Sequence, residues 1–363
     1  MNLKINTKLL QDMVAKAIKG SSNNKMIPIT SLLGLEVKDN VLTLMTTDGS
    51  NHLRIKQKIE SNNSNNFYIV VNADTFSKLV TKTTCENITL TLMENYLEVK
   101  GNGTYKLDVA MDEDGNVIKF ANLVTSNETE VKQILVNELK SALLKSKASI
   151  AQSMEIPFLT GYYIAQNVIT TNREMMSCVK KEILDSPILI SSEMAELLQL
   201  VEGEYVSLIQ EDQKLLFETD NIIIYGKQLE GLEMYPVEAL TNLMNLSYDH
   251  IIKVNKAELL NVLDRMSIFV TDYDKNGVFL SILPEGLQLT SQKSNASEII
   301  PYEKIGEKIP ETFRCLIDIE MFASQVQVNE GEKVQINYGQ EKSIKLIDEN
   351  NVIVISLMDL DNN

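Results

Sequence analysis

The sequence predicts an α+β protein of three similar units in one chain, each with two helices packed on antiparallel sheet. Three observations lead there. An apolar residue, then a helix-capping residue, then an amphipathic run recurs six times. Between those runs the apolar spacing switches from the helical period to period two. At 363 residues the chain is too long for one ordinary core, and its 44% hydrophobic and 23% charged residues are globular in composition.

The six starts are Ile5-Asn6, Val71-Asn72, Val136-Asn137, Ile190-Ser191, Val254-Asn255 and Ile317-Asp318. Asn, Ser and Asp cap helices because their side-chain oxygens accept the orphan N–H groups of the first turn. Asp74, Glu138, Glu193, Glu258 and Glu320 follow in that turn, where the helix dipole favours them. In the first run Leu9, Leu10, Met13, Val14, Ala17 and Ile18 form one apolar stripe, with Lys8, Gln11, Asp12, Lys16 and Lys19 on the other face. Leu139, Leu143 and Ile150 repeat part of that stripe in the third run, and Leu259, Leu260, Leu263 and Met266 in the fifth.

After the first helix, Ile27-Pro28-Ile29 opens the strand region, followed by Leu33 to Val37, a Lys38-Asp39-Asn40 turn and Val41 to Leu44. The second copy reads Ile156-Pro157-Phe158, Gly161 to Ile164, then Asn167 to Thr170. The third reads Gly277 to Leu280, a Pro284-Glu285-Gly286 turn, then Leu287 to Leu289. A further strand pair follows each second helix: Ile88 to Val99, Tyr205 to Phe217 and Val334 to Ile347. The polar stretch Ser126 to Glu130 and the segment Leu243 to Asp249 mark boundaries, giving domains 1–125, 126–247 and 248–363.

Chemistry is mostly excluded. His52 and His250 have no Cys, His or carboxylate at metal-ligand spacing, and a lone histidine is usually structural. Gly226-Lys227 lacks the preceding glycine of a phosphate loop, and Gly101-Asn102-Gly103 reads as a hairpin turn. Asp272 to Gly277 matches half of a calcium loop, but Leu283 occupies the twelfth position, where a bidentate Glu belongs. It reads as a helix-to-strand turn. Neither a metal nor a cofactor is expected. Cys85, Cys178 and Cys315 form no CxxC pair, which points to a reducing, cytoplasmic setting. No apolar run approaches the ~18–20 residues of a membrane helix, so no membrane association is expected. The net charge of −16 leaves nucleic acid open, since binding depends on where the positive groups sit.

The order and spacing of these elements resemble the beta subunit of bacterial DNA polymerase III, the sliding clamp. The resemblance rests on the Ile27-Pro28 element followed by Leu42-Thr43-Leu44-Met45-Thr46-Thr47-Asp48, on Pro157-Phe158-Leu159-Thr160-Gly161, and on the apolar strand Val352 to Leu357. It implies a non-enzymatic processivity factor: a head-to-tail homodimer whose six domains close as a ring around double-stranded DNA. Such a ring holds DNA topologically and independently of sequence, because phosphate contacts carry no base information.

On the helices and adjoining loops the DNA-facing candidates are Lys8, Lys16, Lys19, Lys25, Lys78 and Lys82, then Lys140, Lys145, Lys147, Lys256 and Arg265. Each alone is as well explained by a solvated face. The fourth and sixth helices carry Glu193, Glu196, Asp318 and Glu320 and offer no basic face.

The resemblance also implies a hydrophobic slot where DNA polymerase, the clamp loader and repair proteins insert a short glutamine-and-leucine peptide. Carried over position by position, it is formed by Leu159, Thr171, Met176, Pro236 and Leu240, with Ser343, Ile353, Ile355 and Leu357, and Met321 at its rim. Tyr105 and Leu107 of one chain are placed against Ile268 and Phe269 of the other. Two departures bear on partner choice: the turn Asn172-Arg173-Glu174-Met175, and the ending Ile355-Ser356-Leu357 with an acidic tail, Asp359 to Asn363. Such departures suit a phage- or plasmid-borne clamp. The competing readings are an acidic DNA mimic, which the basic residues on the helices oppose, and a repeat-built enzyme or sugar-binding protein, which lacks a convergent catalytic constellation.

Overall fold

The computed structural model of the chain describes residues 2–59, 66–122, 130–271, 276–306, 312–340 and 342–358. Residues Ser126 to Thr129 of the first expected boundary, Asp272 to Lys275 of the calcium-like segment and the tail Asp359 to Asn363 lie outside them. Seven α-helices form among the described residues: α1 (Thr7–Ala17), α2 (Ala73–Lys82), α3 (Val136–Ser146), α4 (Ser192–Leu198), α5 (Val237–Met244), α6 (Lys256–Ser267) and α7 (Ile319–Val328). Six of them begin at the six recurrent start signals.

Four caps are formed as their chemistry demands. Asn6, Asn72, Asn255 and Asp318 accept the N–H groups of Leu9, Thr75, Glu258 and Met321 at 3.2, 2.9, 3.0 and 2.9 Å. Helix α3 differs: it begins at Val136, so Asn137 sits inside its first turn instead of capping it. Helix α5 has no start signal. Pro236 precedes it and makes no side-chain cap.

Two compact units form. The first comprises Met1–Val136 and Glu193–Gln228, and the second Asn137–Ser192 and Leu229–Asn363. The expected second domain, 126–247, is thus shared between them.

The first unit holds an eight-stranded antiparallel sheet in the order Phe67–Asn72, Leu32–Lys38, Val41–Thr47, Asn51–Lys58, Ile222–Lys227, Lys214–Glu218, Tyr205–Glu211, Val131–Leu135. Pairing of Asn51–Lys58 with Ile222–Lys227 makes one sheet from strands of the first and second repeats. A four-stranded sheet runs Asn2–Asn6, Asn87–Leu92, Tyr96–Lys100, Thr104–Asp108. The α1 stripe is buried at Leu10, Met13, Val14 and Ala17, and Gln11 donates to the Val80 and Thr83 carbonyls at the end of α2.

The second unit repeats the scheme. Its nine-stranded antiparallel sheet runs Ile188–Ser191, Gly161–Ile164, Val168–Thr171, Met175–Val179, Asn351–Ser356, Ser343–Ile347, Lys333–Tyr338, His250–Asn255, Tyr302–Ile305. Met175–Val179 against Asn351–Ser356 joins the second repeat to the third, as Asn51–Lys58 against Ile222–Lys227 joins the first to the second. A four-stranded sheet runs Ser297–Ile300, Gly286–Ser291, Gly277–Leu283, Phe313–Asp318. Helices α6 and α7 pack over a core that includes Leu259, Leu263, Met266 and Phe322.

The two proline elements expected to open strands instead form short 3-10 turns, Pro28–Ser31 and Pro157–Thr160. Proline has no N–H to lose at a first helical position, and its ring holds φ near the helical value. Ile27 and Ile156 enter the turns with nearly the same backbone, φ −127° with ψ 81° and 88°. The repeat therefore extends to single dihedral angles.

Candidate functional site

The second unit carries an open groove of about 750 Å³. Its floor is a row across the large sheet. Thr171 lies opposite Met176 and Met176 opposite Val354; the row continues beyond the groove's lining to Lys345, opposite Val354. Leu159, delivered by the Pro157 turn, and Leu240 of α5 pack with Met176 and Val354 in one apolar cluster over Ile169, Leu189 and Tyr235. The Tyr235 hydroxyl donates to the Ile169 carbonyl at 3.1 Å, and the ring stacks on Tyr163 with centroids 5.4 Å apart. Burial raises its pKa, so this phenol stays protonated.

Around this floor stand Pro236 and the half-exposed Leu243 and Leu246 on one side, with Lys342, Ser343 and Ser356 on another. Arg173 and Glu174 project from the turn at one end. That turn is tightly specified. Thr171 Oγ1 accepts the Arg173 N–H at 3.1 Å and donates to the Met175 carbonyl, while Asn172 accepts from Glu174 and Met175 at 3.0 and 2.8 Å. Thr47, Asp48, Ser50 and Asn51 make the same bonds in the first repeat, with Gly49 where Arg173 stands. Both positions have positive φ, 103° at Gly49 and 82° at Arg173. An apolar, neutral floor with a mixed-charge rim suits capture of a peptide's apolar side chains.

Of the expected slot residues, Leu159, Thr171, Met176, Pro236, Leu240 and Ser343 line this groove together. Four do not. Ile353 and Ile355, 1% and 2% exposed, point into the core beneath α6 and α7, and Leu357 and Met321 pack against that same core. The reason is the alternation of a strand: along Asn351–Ser356 the odd positions face the core, and Val354 and Ser356 face the groove. Of the slot candidates, Ile353 and Ile355 are also the two that the sequence explains most readily as core, but NVIVIS, covered on both faces and apolar nearly throughout, does not mark which positions face the groove. Leu243 and Leu246 were masked by their reading as a boundary segment.

The expected DNA-facing cations are less uniform. Lys8, Lys19, Lys25, Lys82 and Lys147 are exposed, and Lys140 is half-buried. Lys16 is paired with Asp12 and Glu202 at 3.2 and 2.9 Å, Lys78 with Asp74 at 2.7 Å, and Arg265 with Glu298 at 2.6 Å. Lys256 donates to the Gln327 and Asn329 carbonyls. Lys145 departs furthest. It is 6% exposed, and its ammonium is bound at 2.8 Å to Glu330, whose own side chain is exposed, so its charge is already committed to a carboxylate.

Tyr105, Ile268 and Phe269 are exposed and Leu107 is half-buried. Tyr105 and Leu107 lie on Thr104–Asp108, an edge strand of its sheet, and Ile268 and Phe269 follow directly after α6. Among the described residues no group of three or more His, Cys, Asp or Glu could hold a metal ion, and no helix is long and apolar enough to cross a membrane.

Residues 1–118 match the family model described as DNA polymerase III beta subunit, N-terminal domain. No curated protein matches the sequence. Solved structures match nearly the whole chain. The DNA polymerase III subunit beta from Borrelia burgdorferi, in complex with a natural product, is 20% identical with a TM-score of 0.87, covering 99% of this chain and 100% of that one. The sliding clamp from Bacillus subtilis is 20% identical with a TM-score of 0.84, covering 99% of each chain. That from Pseudomonas aeruginosa, bound to griselimycin, is 15% identical with a TM-score of 0.86, covering 99% and 100%.

Proposed function

We propose that the chain is a DNA sliding clamp: residues 1–118 match the family model of the DNA polymerase III beta subunit, N-terminal domain, and the chain as a whole has the fold of the bacterial sliding clamps. In this reading three domains, 1–125, 126–247 and 248–363, belong to each subunit. Two subunits close head to tail around double-stranded DNA in the cytoplasm, and the clamp is not an enzyme. Fold does not fix function, so the observation that carries the reading is the groove. An open apolar floor of Leu159, Met176, Leu240 and Val354 is built on a chain of clamp fold.

The occupant is a short peptide bearing glutamine and two leucine or phenylalanine side chains, presented by a DNA polymerase or clamp loader. Burying two such side chains is worth roughly 3–6 kcal/mol before ordering costs, which by itself corresponds to binding from millimolar to tens of micromolar at best. Exposed Lys8, Lys19, Lys25, Lys82 and Lys147 are the cations we assign to the DNA; Lys145 is removed from that set.

Topological binding has a direct test. Protein loaded on nicked circular DNA is expected to remain through a high-salt wash and to fall off when the circle is linearised. Equal retention on a linear duplex with free ends would overturn the ring. Capture of DNA-binding proteins with no retention on either DNA would favour the acidic mimic.

A further inference from the structure

We infer that Lys345 is a positioning residue for the groove: it fixes the end of α5, and through it the wall that Leu243 and Leu246 present to a bound peptide. The inference rests on the peptide-binding reading above. Lys345 is buried just beyond the groove's floor, opposite Val354 and not itself part of the lining. Its Nζ donates to the Met244 and Leu246 carbonyls at 2.8 and 2.6 Å and lies 4.7 Å from the centroid of the Tyr248 ring. The Tyr248 hydroxyl meets Ser343 Oγ at 2.8 Å, and Gln340 Nε2 donates to the Ser247 carbonyl at 2.7 Å. Three side chains from Gln340 to Lys345 thereby hold the segment 244–248 by its carbonyls and its one ring.

Helix α5 needs such an anchor. It is eight residues long, has no side-chain cap at Pro236 and no basic residue in its last turn. A helix so short is not stable by itself, and its terminal carbonyls call for a cation. Lys345 supplies that cation from another element. Burial pushes the pKa of its ammonium down, with Lys180 adding repulsion, and the two carbonyls and the ring offset that cost. Leu246 lies in this anchored stretch and Leu243 directly precedes it; both stand half-exposed and line the groove. Without the anchor the wall is free to move although no atom facing the peptide has changed.

The variant Lys345→Met keeps the apolar stem and removes the donors; Lys345→Arg keeps the charge. The probe is a synthetic peptide with one glutamine and two leucines, with amide exchange of residues 243–248 followed in the free protein. Lys345→Met is expected to weaken peptide binding about tenfold and to speed exchange at Asn245 and Leu246, with partial recovery in Lys345→Arg. Leu243→Ala is expected to cost less affinity in the Lys345→Met background than in the wild type, because both changes act on one wall. Tyr248→Leu, at a half-buried position, tests the anchor even where Lys345→Met does not fold. It is expected to weaken binding about threefold with the same exchange signature.

Wild-type affinity and exchange in these variants, or losses that simply add, would overturn the positioning role. Failure of the wild type itself to bind the peptide would instead sink the groove reading. The exchange comparison, made without peptide, still decides whether Lys345 holds the wall.

Discussion

Arg173 is held where its repeat counterpart is glycine. The turn bonds made by Thr171 and Asn172 are those made by Thr47 and Asp48, so the backbone at the third position is dictated by its neighbours. At φ 82° an L side chain crowds its own carbonyl, a cost that glycine escapes. Arg173→Gly is therefore expected to raise stability by about 0.5–1 kcal/mol, since the relief of strain exceeds the added freedom of the unfolded chain. Denaturant midpoints with unchanged slope measure it, and a lower midpoint would mean that the guanidinium makes contacts outweighing the strain. The departure at Asn172-Arg173-Glu174 was visible in the sequence; its left-handed backbone was not, because arginine gives no local sign of positive φ. Lysine was equally mute. Lys8 and Lys145 read alike in sequence, yet one is exposed and the other is buried against Glu330, since burial of a charge depends on a carboxylate brought from far along the chain.

At the level of elements, what local chemistry decides was legible and what packing decides was not. Asn6, Asn72, Asn255 and Asp318 cap their helices because the cap is a bond between residues three apart. Helix α5 carries no such signal; its place is set by Lys345 and by the burial of Leu240, both non-local. The strand Asn351–Ser356 shows the same limit in another form. Its existence follows from composition, but which face meets the groove does not, because a strand covered on both faces has no polar alternation. The register now makes a sharp prediction. Ile355→Ala opens space in the core beneath α6 and α7 and is expected to cost about 3 kcal/mol of stability, with peptide affinity of the folded protein retained. Val354→Ser is expected to weaken the peptide several-fold with a smaller loss of stability. Chemical denaturation and calorimetric titration separate the two effects. A reversal, with Ile355 setting affinity, would mean that the groove lies on the other face of the strand.

For the whole molecule the question is how two chains meet. The sheet strand Thr104–Asp108 has no partner on its outer side among the described residues, and neither has Ser297–Ile300. Each edge sets one exposed large apolar side chain among its charges: Tyr105 beside Lys106 and Asp108 on the first, Ile299 beside Glu298 on the second. Ile268, 76% exposed, and Phe269 lie immediately after α6, whose Arg265 is paired with Glu298 next to Ile299. Exposed groups of this size in two separate places are what a head-to-tail contact requires, since each copy must offer two different surfaces for two subunits to close. Pairing of the edges would satisfy backbone groups on both strands, while Tyr105, Ile268, Phe269 and Ile299 leave water together. Charging Ile268 and Phe269 together as Ile268→Asp, Phe269→Asp is expected to give monomers, because two desolvated carboxylates without partners oppose closure by several kcal/mol. Both positions are exposed in the single chain, so the fold and the groove are expected to survive, and the monomer is expected to bind the glutamine-leucine peptide with unchanged affinity while losing retention on circular DNA. Sedimentation of the wild type and the double variant decides the point. A variant that still sediments as a dimer would place the subunit contact elsewhere, and a wild type that is monomeric at micromolar concentration would leave the ring without its closure.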